Sequence, residues 1–133
     1  MEKVFVYGTL KRGHGNHVLL EQSKFLGAGV TTEKYVMYKS GVPFVSKQLQ
    51  LTTIYGELYS VDELTLNNLD MLEGHPNWYK REEIYISYMC DKGKTNTVKA
   101  WLYFNDDIPA SAEVLPSGIY GYKRDNIFNN LLL

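Results

Sequence analysis

Two stretches hold the residues whose types and spacing suit chemistry. Leu69-Asp70-Met71-Leu72-Glu73-Gly74-His75-Pro76 reads as the end of a helix that carries a carboxylate on its apolar side. Leu66, Leu69 and Glu73 fall at i, i+3 and i+7, one face of a helix, so Glu73 points toward the body of the protein. An ionised carboxylate buried without a partner is costly, and such a group has either a raised pKa or a bound partner. A raised pKa is what a proton shuttle near neutral pH requires. The competing reading is a carboxylate that escapes to solvent or pairs with Arg81. The negative end of the helix dipole is also a poor place for a carboxylate. The second stretch is Val6-Tyr7-Gly8-Thr9-Leu10. A strand that ends at glycine leaves the next N–H groups without a ladder partner, and they can hold a carboxylate or an oxyanion. Gly8 lets a ligand approach the backbone closely. The plainer alternative is a strand-to-turn corner. The stretch lacks the spacing and the Lys-Ser/Thr pair of a phosphate loop.

Other candidates are weaker. Glu57 lies in a strand beside Gly56, on the same side as Tyr55 and Tyr59, and is the rival carboxylate if that side lines a cavity. His14, His17 and His75 do not form metal-ligand spacing, so no metal site is expected. No Ser or Cys sits in a nucleophile elbow. Cys90 is the lone cysteine and reads as a buried thiol in a strand.

The elements that must position these residues follow from pattern. Val4 to Tyr7 is a nearly all-apolar strand, and residues 10–15 form a loop. Asn16 caps a short helix through Gln22. Gly29 to Tyr38 is strand-like. A turn at 40–43 leads to an edge strand at Phe44-Val45-Ser46. Ile54 to Val61 alternates as a strand. Asp62 then caps the helix, Val61 and Leu66 have the spacing of a hydrophobic staple, Gly74 supplies the C-terminal cap, and Pro76 forbids continuation. Glu83 to Cys90 and Val98 to Phe104 form an antiparallel pair about a turn at Asp91-Lys92-Gly93-Lys94. The sum is five to seven strands with two or three small helices. The expected fold is α+β: one domain over residues 1–133, a small mixed β-barrel or strongly curved sheet flanked by short helices.

Bulk properties agree with that picture. The 133 residues carry a net charge of −1 with mixed signs and no basic stripe, so nucleic acid is not an expected partner. The 11 Tyr, 5 Phe and 2 Trp favour sheet. No apolar segment is long enough to span or target a membrane, and the expected location is the cytoplasm. Nothing in the pattern sets an oligomeric state.

Val6-Tyr7-Gly8-Thr9-Leu10-Lys11-Arg12-Gly13 with Asn16-His17 resembles the opening signature of the γ-glutamylcyclotransferase-like superfamily, most closely its γ-glutamylamine cyclotransferase branch. Gly56-Glu57-Leu58-Tyr59 resembles that family's middle strand. Leu69 to Glu73, then Pro76, Tyr79 and Arg81, resembles its catalytic helix end. The likeness covers residues 3–104 in three separated blocks in the right order. It implies a small β-barrel flanked by helices, a γ-glutamyl small-molecule substrate, Tyr7, Gly8, Thr9 and Leu10 as the binding loop, and Glu73 as acid/base. It also implies a lactam-forming reaction that releases 5-oxoproline and an amine without metal or cofactor. Aromatic residues near the pocket are implied in the C-terminal part, where Tyr120 and Tyr122 are the candidates. Leu131-Leu132-Leu133 has no counterpart. A cyclotransferase for a specialised biosynthetic intermediate, or a non-catalytic binder on the same scaffold, remain alternatives.

Overall fold

A computed structural model describes residues 1–90 and 93–121. Tyr122, Leu131-Leu132-Leu133, and Asp91 and Lys92 of the expected turn lie outside the described residues. The elements run β1 (Glu2–Val6), a 3-10 turn (His17–Leu20), β2 (Lys24–Thr31), β3 (Val36–Ser40), β4 (Val42–Ser46), β5 (Tyr55–Val61), α1 (Glu63–Glu73), β6 (Lys80–Met89), β7 (Thr95–Phe104) and β8 (Glu113–Val114). Among the described residues no helix is long and apolar enough to cross a membrane.

Five strands close a barrel in the order β1-β5-β2-β6-β7. All neighbours are antiparallel except β1 and β7, which close the barrel in parallel at Val4 and Trp101. A second sheet, β4-β3-β8, is built on a hairpin that turns at Gly41. The period-2 alternation of the strands splits the core in two. Phe5, Leu58, Ile86, Ala100 and Leu102 belong to one buried cluster. Val4, Val6, Tyr59, Val61 and Tyr103 belong to the other, together with Leu66 and Leu69 of α1. The cluster that includes the helix faces outward, so the first fills the barrel. Gly56 makes that filling possible, because a Cβ there would meet the Phe5 ring at 2.9 Å and the Val6 carbonyl at 2.3 Å.

Four local expectations are corrected. The strand-like run 29–38 is two strands: β2 begins earlier, at Lys24, with an irregular register between Phe25 and Gly27, and the chain leaves the barrel after Thr31 to start the hairpin. The helix after Asn16 is a single 3-10 turn, and the Asn16 amide does not cap it but donates to Thr9 Oγ1 at 2.9 Å. The described residues form eight strands where five to seven were expected, since the C-terminal part contributes β8, paired to β3. Cys90 is only partly buried, with its thiol donating to the Lys94 carbonyl.

Candidate active site

Helix α1 is built to deliver Glu73. The Asp62 carboxylate accepts the Thr65 N–H at 2.7 Å, and Gly74 ends the helix at φ +64°, a left-handed conformation that glycine adopts without strain. The helix starts beside the N-terminal end of β1, because Val61 pairs with Glu2. Its 11 residues rise about 16 Å, and the five residues of β1 extend about the same distance. The two elements therefore end level, which sets Glu73 next to Tyr7 and Gly8. All three line one cavity of about 100 Å³, as do Thr9 and Leu10. The two stretches singled out in the sequence meet.

The cavity floor is buried: Phe5, Val6, Tyr7, Pro43, Tyr79 and Tyr103. Its partly exposed rim carries Thr9, Asn16, Val42, Leu72, Glu73 and Trp78. Gly8 sits against the β3–β4 hairpin so closely that a Cβ would lie 2.6 Å from Pro43 Cγ. The Tyr79 hydroxyl locks the hairpin by donating to the Pro43 carbonyl at 2.9 Å, and the Tyr79 ring stacks on Phe44. Tyr7 donates to the Tyr103 carbonyl at 2.8 Å. The loop is held from its far side: the Lys11 N–H donates to the Gly8 carbonyl, the Asn16 N–H to the Thr9 carbonyl, and a His17 ring nitrogen meets the Leu10 carbonyl. Among the described residues the N–H groups of Gly8, Thr9 and Leu10 have no backbone acceptor.

Glu73 is half-buried, and no described side chain hydrogen-bonds to or pairs with its carboxyl. Burial pushes that carboxyl up from 4.5 to about 7. The alternative of a salt bridge to Arg81 is overturned, because Asp70 intercepts the guanidinium. Arg81 Nε and Nη2 donate to the two Asp70 oxygens at 2.8 and 3.1 Å, and Tyr103 donates to Asp70 at 2.6 Å. Burial opposes ionisation of Asp70, but these donors outweigh it and hold Asp70 below its ordinary value. The helix end thus carries two carboxylates in contrasting states, one clamped as an anion and one poised to exchange a proton. Burial, and secondarily the charge of Glu73, raises the Tyr79 phenol. Tyr7 is raised by burial first and then by Tyr79 and Glu73. Both phenols stay protonated.

Glu57 does not line the cavity. It is fully buried, accepts the Arg12 N–H at 3.0 Å and the Tyr59 hydroxyl at 2.9 Å, and lies 3.7 Å from Arg12 Nε. Its place is behind the loop, which it anchors. Tyr120 also stays out of the cavity, and its carbonyl accepts the Lys11 ammonium. Asn16, Pro43, Trp78 and Tyr103 were not picked out as site residues in the sequence. Pro43 and Tyr103 reach the cavity through strand pairing and hairpin docking, which leave no local pattern. Trp78 had a signal, an aromatic five residues after Glu73 in a short helix-exit loop.

A family model described as "Gamma-glutamyl cyclotransferase, AIG2-like" matches residues 4–121. A Methanocaldococcus jannaschii protein, provisionally named a gamma-glutamylcyclotransferase, is 47% identical over 122 residues, 90% of this chain and 96% of that protein. Gamma-glutamylaminecyclotransferase B of Danio rerio is 36% identical over 112 residues, 77% of this chain and 59% of that protein. The crystal structure of an AIG2-like protein from Mus musculus superposes with a TM-score of 0.76 at 28% identity, covering 88% of this chain and 87% of that one.

Proposed function

The chain belongs to the AIG2-like gamma-glutamyl cyclotransferase family, and from that premise we propose that it converts a γ-glutamyl amine or γ-glutamyl peptide to 5-oxoproline and a free amine, with Glu73 as general acid/base. The observation that carries this reading is the shared cavity. It sets a carboxyl raised to about 7 beside Gly8, Thr9 and Leu10, whose N–H groups have no backbone acceptor among the described residues. The substrate's α-amine attacks its own γ-carbonyl. The new C–N bond closes a five-membered lactam, and the bond to the leaving nitrogen breaks. Nucleophile and target are already tethered, so the site's main task is to hold the chain folded for attack. Glu73 takes a proton from the attacking amine and returns it to the leaving nitrogen, which needs both of its protonation states accessible near neutral pH. N–H groups of residues 8–10 steady the oxyanion, a role in which one donor is worth about 3–4 kcal/mol. Clamped as an anion by Arg81, Asp70 leaves proton transfer to Glu73.

The test is 5-oxoproline release from a panel of γ-glutamyl amines and peptides, wild type beside Glu73→Gln. Wild type should turn over at least one class, with kcat/KM rising through about pH 7 as Glu73 ionises. Glu73→Gln should fall by about a hundredfold or more. Equal turnover by a folded Glu73→Gln removes Glu73 from the mechanism. No turnover by either, with a γ-glutamyl ligand still raising the melting temperature, makes the protein a binder.

A further inference from the structure

Glu73 closes α1, and no described side chain holds its carboxyl in place. Its position therefore follows from the backbone of the last helical turn. That turn is tied down through Asp70, one turn before Glu73. The Asp70 main-chain carbonyl accepts the N–H groups of Gly74 and His75, the two residues that follow Glu73. Its side chain accepts Arg81 Nε at 2.8 Å, Arg81 Nη2 at 3.1 Å and the Tyr103 hydroxyl at 2.6 Å. Arg81 and Tyr103 stand directly opposite each other on β6 and β7. One carboxylate thus fastens the helix end to a single cross-strand pair of the barrel wall. Tyr103 also reaches the binding loop, because its carbonyl accepts the Tyr7 hydroxyl at 2.8 Å. The helix end and the loop are therefore joined across one residue.

We infer that Asp70 is a positioning residue for the reaction: through Tyr103 it sets the spacing between Glu73 and loop residues 8–10. The inference rests on the reading under Proposed function. Asp70 does not line the cavity, so it acts without touching the substrate. The reaction needs two contacts at once, Glu73 on the nitrogen whose proton moves and loop N–H groups on the γ-carbonyl oxygen. That nitrogen and that oxygen meet at one reacting carbon. The gap between Glu73 and the loop therefore has one productive width, and an error of about 1 Å can cost about a hundredfold in rate. Burial of Leu66 and Leu69 holds α1 against the barrel, but apolar burial has no direction. The three donors on Asp70 supply the direction, since each bond constrains both distance and angle. A half-buried ion pair is a poor source of stability beside packed apolar groups of the same volume, which agrees with a role in geometry.

Tyr103→Phe is the sharpest probe. It keeps the ring in the cavity and the carbonyl for Tyr7, and removes only the hydroxyl that reaches Asp70. Steady-state 5-oxoproline release is measured across the pH range with γ-glutamyl n-butylamide and with γ-glutamylalanine, and thermal melts check the fold. In Tyr103→Phe, kcat should fall by about ten- to a hundredfold while KM stays within about twofold, since the loop still binds but Glu73 is displaced. The acid limb of kcat/KM should move to lower pH than in wild type, because a carboxyl that swings toward the rim regains solvent. Asp70→Asn keeps an oxygen for Tyr103 but gives up the one that Arg81 Nη2 reaches, and should show both changes. A role confined to stability would leave the limb in place, since a smaller folded fraction lowers the rate without altering the titration. Wild-type kcat in a folded Tyr103→Phe, or a lower kcat with an unmoved limb in both variants, overturns the inference while leaving the cyclotransferase reading intact. A raised KM at unchanged kcat does the same, because the contact then serves binding and not Glu73. No 5-oxoproline from wild type with either probe overturns both.

Discussion

Replacing Glu73 with Gln should stabilise the protein above neutral pH while removing its turnover. Glu73 gains no described charged partner on folding, and burial lifts its carboxyl from 4.5 to about 7. The folded value lies above the unfolded one, so the protonated form is the one the fold prefers. Its contribution to stability is complete below the unfolded value and is lost as pH rises through about 7. At about 1.4 kcal/mol per pH unit, the interval corresponds to about 3 kcal/mol. Glu73 reaches the partly exposed rim, where solvent screens some of this cost, so the expected penalty is about 1–3 kcal/mol. Gln has the same shape and no charge to desolvate. Urea unfolding of both proteins near pH 4 and near pH 8.5 reads the effect directly: the advantage of Glu73→Gln should grow by about 1–3 kcal/mol toward the alkaline end. A difference that does not change with pH refutes the buried, partnerless carboxyl. One that grows toward acid shows instead that a partner holds Glu73 ionised.

Further substitutions test the scaffold around it. Gly8→Ala drives a methyl to within 2.6 Å of Pro43 Cγ, so the loop and hairpin must separate; the expected cost is about 1–3 kcal/mol in a melt, with a raised KM, and an unchanged KM would mean that this contact does not shape the site. Glu57→Gln keeps acceptors for the Arg12 N–H and the Tyr59 hydroxyl but loses the charge facing Arg12; it should raise KM and lower kcat by less than about tenfold, and a loss matching that of Glu73→Gln would reassign the proton transfer. Asp70→Asn strips the half-buried Arg81 of its bidentate partner and should cost about 2–3 kcal/mol near neutrality. Asp70 is held below its ordinary value, so its contribution exists above 3.8 and disappears as pH falls through the folded value. The Asp70→Asn penalty measured by urea unfolding should therefore shrink in acid, and one that persists unchanged there would show that the ion pair is not its source.

What could be read from the chain depended on the range of the interactions involved. Helix α1 was legible almost to the residue, because its signals are local: Asp62 before the apolar stripe, Leu66 and Leu69 on one face, Gly74 and Pro76 at the end. The β6–β7 pair was legible for the same reason, as two alternating runs about a short turn. The break between Thr31 and Val36 was not, because β2 and β3 are similar in composition and only barrel closure sends one into the barrel and the other into the hairpin. Asn16 was misassigned because a cap and a cross-loop hydrogen bond call for the same side chain, and sequence does not say which acceptor is nearer.

The same division holds at the site. By itself the sequence determined that a carboxylate rides on the apolar face of a helix end, and that a strand stops at a glycine with N–H groups left over. Residue type and period settle both, since a side chain's direction on a helix or strand follows from backbone geometry alone. Only the tertiary structure decided that the two meet, that Asp70 rather than Glu73 takes Arg81, and that Glu57 anchors the loop from behind. These outcomes depend on matched lengths of β1 and α1 and on which buried carboxylate lies within reach of which donor. Distances between segments about sixty residues apart are set by how the barrel closes, and no local pattern encodes them.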